Sequence, residues 1–121
     1  MVLSPRNVAF ILPAKKITSQ DDAEFVDSIL DRADNMILNF EEEIFSSIRM
    51  LVGDATVIYG VYWVTYEEDW VEGKDNLIGF ARVVEQAIER NPEFEHLDIL
   101  KKIVSLAKEA AERDLPLIIE S

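Results

Sequence analysis

Residues 19–53 read SQDDAEFVDSILDRADNMILNFEEEIFSSIRMLVG, and the folding of this stretch decides the architecture around it. Val26, Leu30, Ala33, Ile37, Phe40, Ile44, Ile48 and Leu51 recur at three- and four-residue steps, the spacing of one face of an α-helix. Asp27, Asp31, Asp34 and Glu41 fall on the opposite side. Thr18 and Ser19 offer N-caps, Asp21, Asp22 and Glu24 stand where the helix dipole favours anions, and Gly53 supplies a stop. The spacing therefore predicts one amphipathic helix of about 33 residues, roughly 50 Å long. Asn35 or Asn39, middling helix formers, mark where it would break. Leu38, Phe45 and Val52, seven residues apart, project among the acids and give the second half a further apolar seam. A helix apolar on two sides needs neighbours on both. The seam can pack within the domain or against a second copy, and it is the main ground for expecting a homodimer.

Upstream, residues 1–18 read as an N-terminal arm or short strand, with the apolar run Val8–Leu12 stopped by Pro13. Downstream, Ala55–Tyr66 (ATVIYGVYWVTY) is rich in residues that favour strands, and both faces would be apolar. A strand there would have only residues 8–12 and 117–119 as partners, so a buried helix is slightly favoured over a small sheet. Asp75 or Asn76 can cap a helix to Arg90 with an inward stripe of Leu77, Phe80, Ala81, Val84, Ala87 and Ile88. Asn91-Pro92 punctuates, and a last helix carries Leu97, Leu100, Ile103, Val104 and Ala107 inward as far as Arg113, before Pro116. The expectation is a mainly α protein, a single domain over residues 1–121 forming a bundle of about four helices. The alternative is α+β, with a small sheet from 8–12, 55–66 and 117–119.

A chain of 121 residues suits one domain, and 49% hydrophobic residues argue for a packed core despite the charge. Cysteine is absent, which excludes disulfides, thiolate metal sites and a cysteine nucleophile. No apolar run approaches the roughly 20 residues needed to cross a bilayer, so a cytoplasmic protein without membrane contact is expected. The net charge of −12 is unevenly spread: residues 21–47 hold nine acids against Arg32, and 67–75 hold five against Lys74. Such a field repels nucleic acid and attracts basic partners.

Motifs for catalysis are sparse. Four glycines at 53, 60, 73 and 79 fit no phosphate-binding loop. Glu95-His-Leu-Asp98 and Glu109-Ala-Ala-Glu112 lie on one helix and lack a facing pair, so no metal or cofactor is expected. The segment Arg90-Asn-Pro-Glu-Phe-Glu-His96 resembles the Arg-x(4–6)-His signature of HEPN-type ribonucleases, small all-helical proteins that commonly work as dimers. That resemblance implies Arg90 stabilising phosphate charge and His96 assisting proton transfer, without metal. Pro92 interrupts the pattern, and Glu93 and Glu95 set negative charge beside His96. A ribonuclease is therefore the alternative reading, alongside a purely structural homo-oligomer.

The binding feature is elsewhere. Tyr59, Tyr62, Trp63, Tyr66 and Trp70 run directly into Glu67, Glu68, Asp69 and Glu72. Rings beside carboxylates suit an arginine-bearing partner, with Tyr66 and Trp70 the rings expected at the surface. The sequence thus predicts a non-enzymatic acidic module that binds, and inhibits or masks, a basic protein surface, as antitoxins, immunity proteins and anti-defence proteins do. The expected docking residues are Asp27, Asp31, Asp34, Glu41, Tyr66, Glu67, Glu68, Asp69 and Trp70.

Overall fold

The structure is a computed structural model and describes residues 7–13, 36–64 and 67–121. Its elements are β1 (Asn7–Leu12), β2 (Met36–Glu41), α1 (Glu42–Val52), a 3₁₀ turn (Val57–Tyr59), β3 (Glu68–Val71), α2 (Lys74–Arg90), α3 (Leu97–Arg113) and β4 (Leu117–Glu120). The four strands form one antiparallel sheet in the order β2-β1-β4-β3. The expected four-helix bundle is therefore wrong. Among the described residues three helices accompany a four-stranded sheet, so the class is α+β.

The largest departure from the expected bundle lies between residues 36 and 52. Residues 36–41 are a strand, and the helix begins only at Glu42, after Glu41 in extended geometry. Met36-Ile-Leu-Asn-Phe-Glu41 satisfies a two-residue alternation as well as a helical one: Leu38 and Phe40 face the core while Asn39 and Glu41 face out. The tie is broken by tertiary pairing. β1 offers six partners in unbroken register, from Asn7↔Glu41 to Leu12↔Met36, and a ladder of that length outweighs local helix preference. Asp27, Asp31 and Asp34, with the apolar positions Val26, Leu30 and Ala33, lie outside the described residues.

The seam assigned to a dimer is consumed inside the chain. Phe45 and Val52, together with Ile48, are the buried face of α1, and Leu38 packs partly buried on the same core. Ile44 and Leu51, placed inward by the sequence, sit at the margin of that face. The spacing of Leu38, Phe45 and Val52 thus gives no argument for a second copy.

Ala55–Tyr66 is neither the favoured helix nor the alternative strand where it is described. After the 3₁₀ turn the backbone takes positive φ at Gly60 (92°) and again at Trp63 (57°). Two such reversals within four positions preclude a ladder. The sheet takes its second edge from β3 instead. The strands that the α+β alternative placed at 8–12 and 117–119 are present as β1 and β4, and these occupy the middle of the sheet, which explains why both are apolar on both faces.

The core lies between the helices and one sheet face. Val8, Phe10, Leu12, Phe40, Val71, Leu117 and Ile119 meet Phe45 and Ile48 of α1, the Leu77–Phe80–Val84 stripe of α2 and the Leu100–Ile103–Ala107 stripe of α3. These last two stripes match the sequence reading. Alanines at 81, 87, 107, 110 and 111 are buried and let α2 and α3 approach closely. On the other sheet face Ile11, Ile118 and Trp70 form a separate buried row.

Trp63 is the hub of the main core. Its ring centroid lies 5.1 Å from that of Phe45, 6.1 Å from Phe10 and 6.3 Å from Phe80, so one indole touches α1, β1 and α2. The buried indole N–H donates to the Thr56 hydroxyl oxygen at 2.6 Å, and that hydroxyl donates to the Val61 carbonyl at 2.9 Å. This relay satisfies the one polar atom the ring brings inside and fixes the strained backbone of Trp63.

Tyr59 lies over Gly79 of α2, where an added Cβ would collide with the phenol ring. In an open helix Gly→Ala stabilises by about 0.8–1.0 kcal/mol. Here Gly79→Ala is expected to destabilise by roughly 1–3 kcal/mol, an overpacking cost. In a Tyr59→Ala background the same change should turn stabilising. Urea denaturation of the four proteins checks this, and an unchanged sign in the second background would contradict the contact.

Candidate functional site

The loop leaving the 3₁₀ turn runs back beside β3. Gly60 passes so close that a Cβ there would sit 3.1 Å from the Trp70 carbonyl oxygen. This position combines a tight approach with φ of 92°, and both demand glycine. Two residues on, the Tyr62 backbone N–H donates to Asp69 Oδ2 at 3.0 Å, tying loop to strand. Because Trp63 is held inward, Tyr62 is turned outward and is 50% exposed. Trp70 donates its indole N–H to Glu68 Oε1 at 2.8 Å, which orients that carboxylate at the sheet edge.

The approach to β3 is pinned from the other side. The Ser121 backbone N–H donates to the Glu67 carbonyl at 3.1 Å, and the Ser121 hydroxyl accepts the Glu67 N–H and donates to the Val64 carbonyl at 2.8 Å. Beside Gly60 lies a hollow of about 350 Å³ lined by Tyr62, Glu67, Glu68, Asp69, Trp70 and Glu72. Four acidic residues and the half-exposed Tyr62 thus line a single concavity.

Asp69 differs from its neighbours. It is only 8% exposed, whereas Glu67, Glu68 and Glu72 are open to solvent. Burial raises its pKa above the ordinary aspartate value of 3.8; the Tyr62 N–H bond opposes the rise, and the charge of Glu67 adds to it. One oxygen is held by Tyr62, and among the described residues none donates a hydrogen bond to the other. A buried carboxylate left half-satisfied beside a like charge is costly to ionise.

The expected docking residues divide into three groups. Glu67, Glu68, Asp69 and Trp70 come together in the hollow. Glu41 is exposed but belongs to β2, the opposite edge of the sheet, and so cannot share a surface patch with β3. Asp27, Asp31, Asp34 and Tyr66 lie outside the described residues. Trp70, expected at the surface, is buried against Ile11 and Ile118, with its indole N–H donated to Glu68. Tyr62 and Glu72 were not among the expected docking residues. Tyr62 was legible only as one ring of an aromatic tract, since its outward direction follows from the backbone reversal at Trp63.

Arg90 is exposed at the end of α2, and His96 is the N-cap residue of α3. The imidazole stands edge-on to Phe94 at 5.6 Å, with Nε2 3.9 Å from Glu95 Oε2. No hydrogen bond or ion pair joins Arg90 to His96. Among the described residues no three acidic or imidazole side chains are grouped to hold a metal ion. Among them, too, no helix is long and apolar enough to cross a membrane. Comparison of the chain with known protein families, curated proteins and solved structures finds no match.

The raised pKa of Asp69 has a consequence for stability. Where the folded pKa exceeds the unfolded one, ionisation disfavours folding. The penalty is absent below the ordinary value, builds as pH climbs towards the raised one and is full above it. Asp69→Asn keeps an oxygen for the Tyr62 N–H and removes the charge. It should raise the melting temperature by a few degrees at neutral pH, and the gain should vanish by about pH 3. A pH-independent gain would contradict this account.

Proposed function

We propose that this protein is a non-enzymatic acidic interaction module that captures, and thereby masks or inhibits, a basic partner protein through the hollow beside β3. The observation carrying this reading is the convergence of Glu67, Glu68, Asp69 and Glu72 with the outward ring of Tyr62 on one concave surface. The net charge of −12 supplies long-range attraction, which raises association rates with cationic proteins. The hollow supplies the short-range docking point. Around Arg90 and His96, by contrast, Glu89, Glu93 and Glu95 are exposed, a poor setting for a phosphate backbone.

The test must separate a docking site from general acidity. A lysine- and arginine-rich model peptide is titrated into the protein by calorimetry at low and at physiological salt. Glu67→Gln/Glu68→Gln/Glu72→Gln should weaken binding about tenfold or more, the order of 1.4 kcal/mol. The control Glu89→Gln/Glu93→Gln/Glu95→Gln removes the same charge from exposed positions elsewhere and should change affinity little. Equal losses in the two triples would mean that only net charge matters.

A further inference from the structure

Three features beside the hollow go beyond acidity. The first is a lining residue: Asp69 is more than nine-tenths buried and has one oxygen to which no described residue donates a hydrogen bond. Such an acceptor is directional and rewards a donor of fixed geometry. The second is its rim, where the half-exposed ring of Tyr62 offers a flat aromatic surface next to carboxylates. The third is the adjoining 3₁₀ turn. Ile58 is 77% exposed and its neighbour Val57 is exposed too, only two residues before Gly60 enters the hollow. Exposed branched apolar side chains so close along the chain to a charged concavity suit a mixed apolar and ionic contact.

Lysine and arginine meet these features differently. An ammonium is compact and strongly hydrated, so it gains most from the solvated rim acids and would lose its water at Asp69. A guanidinium is weakly hydrated, presents paired donors in one plane and stacks on aromatic faces. Resting on the function proposed above, we infer that the hollow selects arginine. Its guanidinium bonds the free oxygen of Asp69 and a rim carboxylate while lying on the Tyr62 ring, and an apolar residue next to it in the partner packs on Ile58. The occupant is thus an arginine-bearing segment with an adjacent hydrophobic residue, rather than any cationic surface.

The probes are two short peptides alternating leucine with a cation, identical except that one carries arginine and the other lysine. Each is titrated into the intact protein by calorimetry. The arginine peptide should bind about tenfold more tightly, the scale of one largely desolvated cation–π contact. Tyr62→Ala should bring that ratio close to one, and Ile58→Ser should weaken both peptides together. Both side chains are exposed, and circular dichroism verifies that the variants fold. Equal affinities in the unmodified protein would overturn arginine selection and leave the basic-partner reading standing. A preference that survives Tyr62→Ala would overturn the stacked geometry. Failure of both peptides to bind at low salt would remove the function and this inference together.

Discussion

The antiparallel pairing of β1 with β4 is the constraint from which the rest of the architecture follows. Phe10 faces Ile119 and Ile11 faces Ile118 across more than a hundred residues of intervening chain. Closing a loop of that length costs conformational entropy before any contact repays it. The repayment comes from both sheet faces at once. Phe10 and Ile119 enter the aromatic and aliphatic core under the helices, and Ile11 and Ile118 join Trp70 on the reverse face. β2 attaches to the sheet only through β1, and β3 only through β4. Loss of the central pair would free both edges, and with β3 would go the acidic hollow.

The hollow itself is a locally unfavourable arrangement maintained by favourable ones around it. Asp69 is partly stripped of water, and the charge of Glu67 further opposes its ionisation. The hydrogen bonds from Tyr62 to Asp69, from Trp70 to Glu68 and between Ser121 and Glu67 hold these groups where the chain places them. Behind them, the inward anchoring of Trp63 through Thr56 sets the direction of Tyr62. A cation placed beside Asp69 would offset that cost, which connects the energetics of the fold to the proposed docking chemistry.

The sequence made some of this legible and concealed the remainder for physical reasons. The stripes of α2 and α3 are long and regular, and their inward residues are read correctly from three- and four-residue spacing. The apolar runs at 8–12 and 117–119 are visible, but as lone short strands they suggest no sheet until two further strands join them. Residues 36–41 obey two periodicities, and only the register with β1 decides between them. In the site, the cluster from Glu67 to Trp70 stood out as aromatics meeting acids. The burial of Asp69, the inward turn of Trp70 and the outward turn of Tyr62 depend on a strained backbone at Trp63, which no local pattern announces.

Cross-strand nuclear Overhauser effects in the isolated protein test the central claim most directly. The account predicts interstrand contacts from Ile119 to Phe10 on one side and to Asp69 on the other, since β4 lies between β1 and β3. Helix-type contacts between residues three apart across 36–41, with no signal joining Phe10 to Ile119, would contradict the sheet and the acidic hollow built on its edge.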